Sequence, residues 1–254
     1  MTTKTFTRRA VVALVATAAL TVTSCHREIV QIDKNNESKD YASGWEGRFG
    51  PIDPAQTWNM ATQLTSTEAM NESYEWIVAC EDLASYEDYD FNDAVFKVSH
   101  NAGEMSITIT PLAAGSTYPT RLYMNGQLLG EMHQLIDPAQ KPTDGLYTPL
   151  NTKERGNAGK PKAIAVNPTF SMNNMGSFAI QVSKLLENGN IKILTIMPPV
   201  KGKAPQMLMV PSSWAWPVEG QLIETAYPDF RSWSQSAAAH ANWTTNVISE
   251  YVVK

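Results

Sequence analysis

From residue 73 onward, short apolar runs alternate with turn residues, a rhythm that predicts strands rather than helices. Residues 105–111 are the clearest case. Met105, Ile107 and Ile109 fall on one face and Ser106, Thr108 and Thr110 on the other, as a pleated backbone requires. Residues 73–80, 94–100, 121–124, 127–129, 163–166, 178–186, 191–197, 207–210 and 246–253 read as further strands. Residues 101–104 make a hairpin between two of them, and Asn125-Gly126 and Asn188-Gly189 supply the dipeptide that most favours a tight turn. Helix is scarce: residues 223–232 hold one or two turns, interrupted at Pro228. The pattern predicts an all-β chain, an antiparallel β-sandwich of jelly-roll-like character.

The N-terminal stretch follows a different rhythm. Residues 1–9 carry Lys4, Arg8 and Arg9 without an acid, and residues 10–22 are apolar except for Thr17 and Thr21. A basic start, an apolar centre and small residues before a cut describe a secretory signal. The apolar part is shorter than the ~20 residues a membrane-crossing helix needs. With Cys25 at the cut, the stretch resembles a bacterial lipoprotein signal and its lipobox. That resemblance implies removal of residues 1–24 and a diacylglycerol on Cys25; a plain signal peptide, or a signal anchor, with an incidental cysteine is the alternative. His26 is not the aspartate that holds lipoproteins at the inner membrane in some enteric bacteria, so the outer membrane is the expected destination. Residues 25–52 read as a tether. The small apolar patch at 29–32 is followed by a polar run at 33–40 and then by Gly44, Gly47, Gly50 and Pro51. The folded domain is expected over residues 53–254, with residues 58–60 packing at its start.

Composition changes this picture in two places. A net charge of −5 with no long basic run argues against a nucleic-acid partner. The chain has 2 cysteines, so a lipidated Cys25 leaves Cys80 without a disulfide partner inside the chain. Cys80 ends an apolar run and reads as a small buried hydrophobe.

Chemistry concentrates in two stretches. In the first, Asp88, Asp90 and Asn92 stand at alternate positions with Tyr89 and Phe91 between them, and Asp93 follows. On an extended backbone the oxygen-bearing side chains share one face and the aromatics enter the core from the other. Oxygen ligands so placed suit calcium, but the helix-loop-helix calcium loop does not fit. Its turn glycine would be Asp93 and its bidentate glutamate Ser99. Asp88, Asp90, Asn92 and Asp93 are therefore either calcium ligands, with Glu81, Asp82 and Glu87 nearby, or caps of a hydrogen-bonded turn. The second stretch holds Trp214, Trp216, Trp233 and Trp243. Their mixing with Ile, Ala and Pro suits a segment closing the core; exposed, the same rings would stack on sugars. His133 lacks the spacing of a helical zinc site and reads as a structural or surface histidine. Nucleophile elbow, phosphate loop, dinucleotide fingerprint and zinc-protease helix are all missing from the sequence, which argues against an enzyme.

Four stretches together resemble the LruC-domain family of bacterial lipoproteins: Glu81-Asp82-Leu83 with residues 88–96; residues 111–115 with Glu131-Met132-His133; residues 216–219 with 226–230 and Trp233; and the lead-in at 53–59. The resemblance spans residues 53–254 and implies a β-sandwich on an envelope lipoprotein, with no established reaction. Residues 183–205, with Lys184, Lys192, Lys201 and Lys203, depart most from the family pattern. The expected function is a lipid-anchored, non-catalytic binding module, stabilised by calcium, for a glycan or protein ligand. The rivals are a structural subunit of a surface assembly, pairing through the edge at 246–253, and, less favoured, a glycan-acting envelope hydrolase.

Overall fold

The computed structural model describes residues 29–31, 73–82, 89–104, 107–124, 126–153, 164–166, 178–186, 188–196, 206–235 and 240–253. The expected lead-in at 58–60, Cys25 and Asp88 lie outside them. Two five-stranded sheets account for the strands among these residues. The first runs β1 (Ile29–Gln31), β9 (Ile191–Ile196), β8 (Phe178–Leu185), β5 (Thr120–Met124), β6 (Gln127–Glu131). The second runs β10 (Met207–Pro211), β2 (Tyr74–Cys80), β3 (Ala94–His100), β4 (Ile107–Ala113), β7 (Ile164–Val166). Neighbours are antiparallel, except that β1 lies parallel to β9. The chain is thus an antiparallel β-sandwich with little helix.

Side-chain alternation builds the layer between the sheets. Trp76, Val78, Phe96, Val98, Ile107 and Ile109 from the second sheet meet Leu122, Met124, Ile180, Val182, Leu194 and Ile196 from the first. Burying each such side chain contributes about 1.5–3 kcal/mol. The second sheet is also covered on its far side, where Ile77, Ala79, Val95, Leu208 and Val210 pack under the C-terminal segment. Strands buried on both faces read as continuous apolar runs, which is why residues 76–80 show no alternation in the sequence.

The cover consists of α2 (Ile223–Ala226), α3 (Phe230–Gln235) and a 3-10 turn at Trp243–Thr245. Pro228 separates the two helices, as its missing N–H requires. Trp214 stacks on Tyr227 at 5.7 Å, and Trp243 meets Tyr227 and Phe230 edge-on at 5.4 and 5.0 Å. Trp216 donates its indole N–H to the Asn151 carbonyl at 2.7 Å.

Three local expectations change. Residues 246–253 form no strand. Their apolar side chains reach the core through Val252 and Val253, held by one bridge from Pro217 to Val252 and by the Val253 amide donating to Trp216 at 2.9 Å. The apolar patch expected inside the tether supplies β1, because an edge strand needs only three residues when its partner is already in place. A short helix, α1 (Met132–Ile136), follows β6 directly.

Glu131 caps α1 and explains the role of His133. Its carboxylate accepts from the Gln134 amide at 3.1 Å and the Thr120 amide at 3.1 Å, and its Oε1 lies 2.7 Å from His133 Nδ1. The His133 ring is buried and stacked on Tyr147 at 4.3 Å. Burial alone pushes the Glu131 carboxyl upward, but the His133 hydrogen bond, the His133 charge and the two amides bring it below 4.5. An acid lowered in this way stabilises the fold above its unfolded pKa, and the gain is lost as pH falls through the folded value. Glu131→Ala should cost about 1–2 kcal/mol, seen as a lower urea midpoint at neutral pH, and a midpoint unchanged there would refute the cap.

Candidate metal centre

The end of β2 and the start of β3 place the acids. After Cys80 the chain leaves the sheet through Glu81 and Asp82, and it returns through residues 89–93. The returning segment is not extended: Tyr89 and Phe91 have φ of 40° and 54°, the left-handed region that non-glycine residues seldom occupy. The backbone coils there, and this corrects the extended geometry expected from the sequence. Both aromatics still enter the core, packing beneath the cover. Beside this coil the ladder between β3 and β4 slips at Val95/Phe96, so Leu112 is an extra residue. Such bulges turn a strand end and re-aim its side chains.

The coil is held by carboxylates accepting backbone amides. Glu81 Oε2 accepts from Phe91 at 3.0 Å, Asp90 Oδ1 from Asn92 at 3.1 Å, and Asp93 Oδ2 from Asp82 at 2.5 Å. Asp90 Oδ2 reaches further and accepts from Gly220 in the cover at 2.9 Å. Gly220 has φ of +74°, so a side chain there would strain the turn that presents this amide.

Three of the acids converge. One oxygen each from Glu81, Asp90 and Asp93 lies within 4.8 Å of the others. Glu81, Asp82 and Asp90 are buried, and Asp93 is half-buried, which leaves the cluster an open edge. Burial pushes the Asp93 carboxyl well above its ordinary value, and Asp82, Glu81 and Asp90 push it the same way. The Asp82 amide opposes them without offsetting them. Burial also raises the adjacent Cys80 thiol, with Asp93 and Glu81 adding to the effect. A thiol held protonated in the core is a packing group, as its sequence context predicts.

Of the ligands expected from sequence, Asp90 and Asp93 belong to this group. Asp88 lies outside the described residues. Asn92 is tied to the cover instead: its Nδ2 donates to the Pro217 carbonyl at 3.2 Å, and its Oδ1 is buried against Gly115 with no hydrogen-bond partner. Glu81 completes the set. It was visible in the sequence only as a nearby acid, and the hairpin closure of β2 on β3 is what brings it in. The four tryptophans expected as ligand contacts are not available for stacking. Trp214, Trp216, Trp233 and Trp243 are 2, 1, 4 and 4% exposed, so they close the core of the cover.

Residues 201–243, comprising β10 and most of that cover, match a family described only as a domain of unknown function (DUF4842). The match takes in a small part of the chain. No curated protein matches its sequence. Among solved structures, one described as a "putative lipoprotein" from Bacteroides ovatus is similar at 14% identity and a TM-score of 0.43, covering 76% of this chain and 79% of that one. That similarity is too low to transfer a function.

Among the described residues no helix is long and apolar enough to cross a membrane. The centre's geometry suits a hard cation. Calcium takes six to eight oxygens at about 2.3–2.6 Å, and three carboxylates offer oxygens close enough to share one ion after a small contraction. Water through the open edge at Asp93 would complete the shell.

Proposed function

We propose that this chain is an envelope lipoprotein of the LruC-domain type, anchored to the outer membrane through lipid on Cys25. Its sandwich acts as a non-catalytic binding module for a glycan or protein, and calcium bound by Glu81, Asp90 and Asp93 stabilises it. The observation that carries the calcium reading is the convergence of like charges around Asp93: among the described residues Asp82, Glu81 and Asp90 all act on its carboxylate with its own sign. Packing carboxylates together in this way costs stability unless a cation offsets the repulsion. The position of the centre gives calcium a task. Asp90 holds Gly220, Tyr89 accepts from the Ile223 amide at 3.0 Å, and Asn92 holds Pro217, so the acidic coil fastens the cover to the sandwich. A glycan or protein ligand would bind away from the indoles, which are core.

Thermal unfolding of the full chain, with calcium against excess chelator, tests this. At about a hundredfold excess over Kd, a ligand that binds only the folded state adds about 2.7 kcal/mol. For a domain of this size that is a shift of roughly 5–10 °C. A shift restored by calcium and not by magnesium is expected. Equal melting with calcium and with chelator would reduce the cluster to a hydrogen-bonded turn. Glycan and protein arrays should be run in both conditions, because a ligand site supported by the cover would weaken with chelator.

A further inference from the structure

The fold fixes which end of the sandwich meets the membrane, an inference that rests on the lipid anchor proposed above. β1 runs parallel to β9 from Ile29, paired with Ile191, which is paired in turn with Leu185. The chain therefore enters the sheet at the end that carries the β8–β9 hairpin. Ile29 follows Cys25 by four residues, a distance of at most about 14 Å when fully extended. A lipid on Cys25 cannot hold this end further than that from the headgroups.

The same end exposes apolar side chains. Leu185 is 42% exposed and Leu146 44%, and the turn at Gly145 brings the two loops together: a Cβ at Gly145 would lie 3.9 Å from Leu185 Cδ2. Half-buried Ile191 continues the row toward β1. Lys184 and Lys192, the next cross-strand pair and so on the opposite face of the sheet, stand at the same end, with Lys184 Nζ 5.2 Å from the centre of the Tyr118 ring. Asp144 stands in the turn beside Leu146, and the sequence places Glu187 in the hairpin, so net charge does not drive the contact. Exposed leucines, an aromatic and long-stemmed lysines suit the boundary between headgroups and acyl chains, where apolar stems bury and charged heads reach the phosphates. We propose that the hairpin end, with Leu185, Ile191 and the Leu146 turn, rests on the lipid surface and sets the sandwich upright on the membrane, with the β5–β6 turn pointing away.

Site-directed fluorescence on the full lipidated chain in phosphatidylethanolamine–phosphatidylglycerol vesicles tests this. An environment-sensitive thiol dye is attached in separate Leu185→Cys, Leu146→Cys and Leu128→Cys variants, the last near the opposite end and 49% exposed. Cys80 is buried and will not compete for dye. Nitroxide-bearing lipid should quench the dyes at 185 and 146 several-fold more than the dye at 128. Equal quenching at all three positions, or more at 128, overturns the orientation while leaving the anchor intact. Dye on residue 25 itself would show a free thiol and overturn anchor and orientation together. Disulfide cross-linking between copies through 185, without lipid quenching, would assign the surface to a second copy and reject the membrane contact.

Discussion

Asp93→Asn should raise the melting temperature of the metal-free protein at pH 7 and abolish its response to calcium, a loss of the whole shift of roughly 5–10 °C. Both directions come from the same carboxylate. Burial, followed by the charges of Asp82, Glu81 and Asp90, holds the folded-state pKa of Asp93 well above 3.8. An acid raised on folding binds its proton more tightly in the native chain than in the unfolded one. Near and below 3.8 this group costs the metal-free fold nothing. The cost appears as pH climbs from there through the raised value, and it is complete above it. Asparagine keeps an oxygen to accept from the Asp82 amide and carries no charge, so the variant should lose this pH dependence. On the calcium reading the ion takes the place of the proton, so its stabilisation of the natural chain should grow over the same rise in pH. Melting curves of both chains from pH 4 to 8, with calcium and with chelator, separate the possibilities, and the difference between the chains cancels contributions such as that of Glu131, whose sign is opposite. If Asp93→Asn melts lower than the natural chain in chelator at pH 7, the negative charge is useful without metal and the calcium reading fails.

The same sandwich could be read from sequence because several strands meet their sheet neighbour across an obvious turn. Residues 94–100 and 107–113 are joined by Asn101–Glu104, and residues 178–185 and 191–196 by Asn188-Gly189. What escaped depends on contacts between distant residues. The alternation of residues 88–92 imitates a strand, and only the closure of the cover on this segment, through Tyr89, Asp90 and Asn92, explains left-handed backbone at Tyr89 and Phe91. Ile29-Val30-Gln31 carries too little pattern to announce a strand until β9 offers its edge. Residues 246–253 carry enough apolar side chains to imitate one, although Val252 and Val253 serve as plugs for the cover. The tryptophans were legible as core from their mixture with Ile, Ala and Pro. The acidic cluster was half legible: Asp90 and Asp93 lie within one motif, whereas the contribution of Glu81 comes from the hairpin.

Gly115→Ala should cost about 3 kcal/mol, at the upper end of what overpacking usually costs, and weaken calcium binding although residue 115 supplies no ligand. A Cβ at Gly115 would lie 2.0 Å from Asn92 Oδ1, 2.9 Å from the Asn92 carbonyl oxygen and 3.0 Å from Glu219 Oε2. The side chains of Asn92 and Glu219 can swing, but the Asn92 carbonyl is backbone. It also accepts the Gly115 amide at 3.0 Å, in a pair completed by the same amide and the Asp93 carbonyl at 3.1 Å. Relieving the clash means moving residues 92–93 away from β4, and Asp93 moves with them. Asn92→Ala separates the two contributions. Alone, it removes the Pro217 hydrogen bond and the buried amide. In the Gly115→Ala background it removes the worst contact and leaves the carbonyl. A double-mutant cycle in urea should therefore give a favourable coupling of about 1 kcal/mol or more, within the range usual for residues in direct contact. The calcium midpoint should recover only in part, since the backbone contact persists. Additive effects, or a Gly115→Ala chain that binds calcium as the natural one does, would mean that the coil tolerates a side chain there and that the close approach of residues 92 and 115 does not position Asp93.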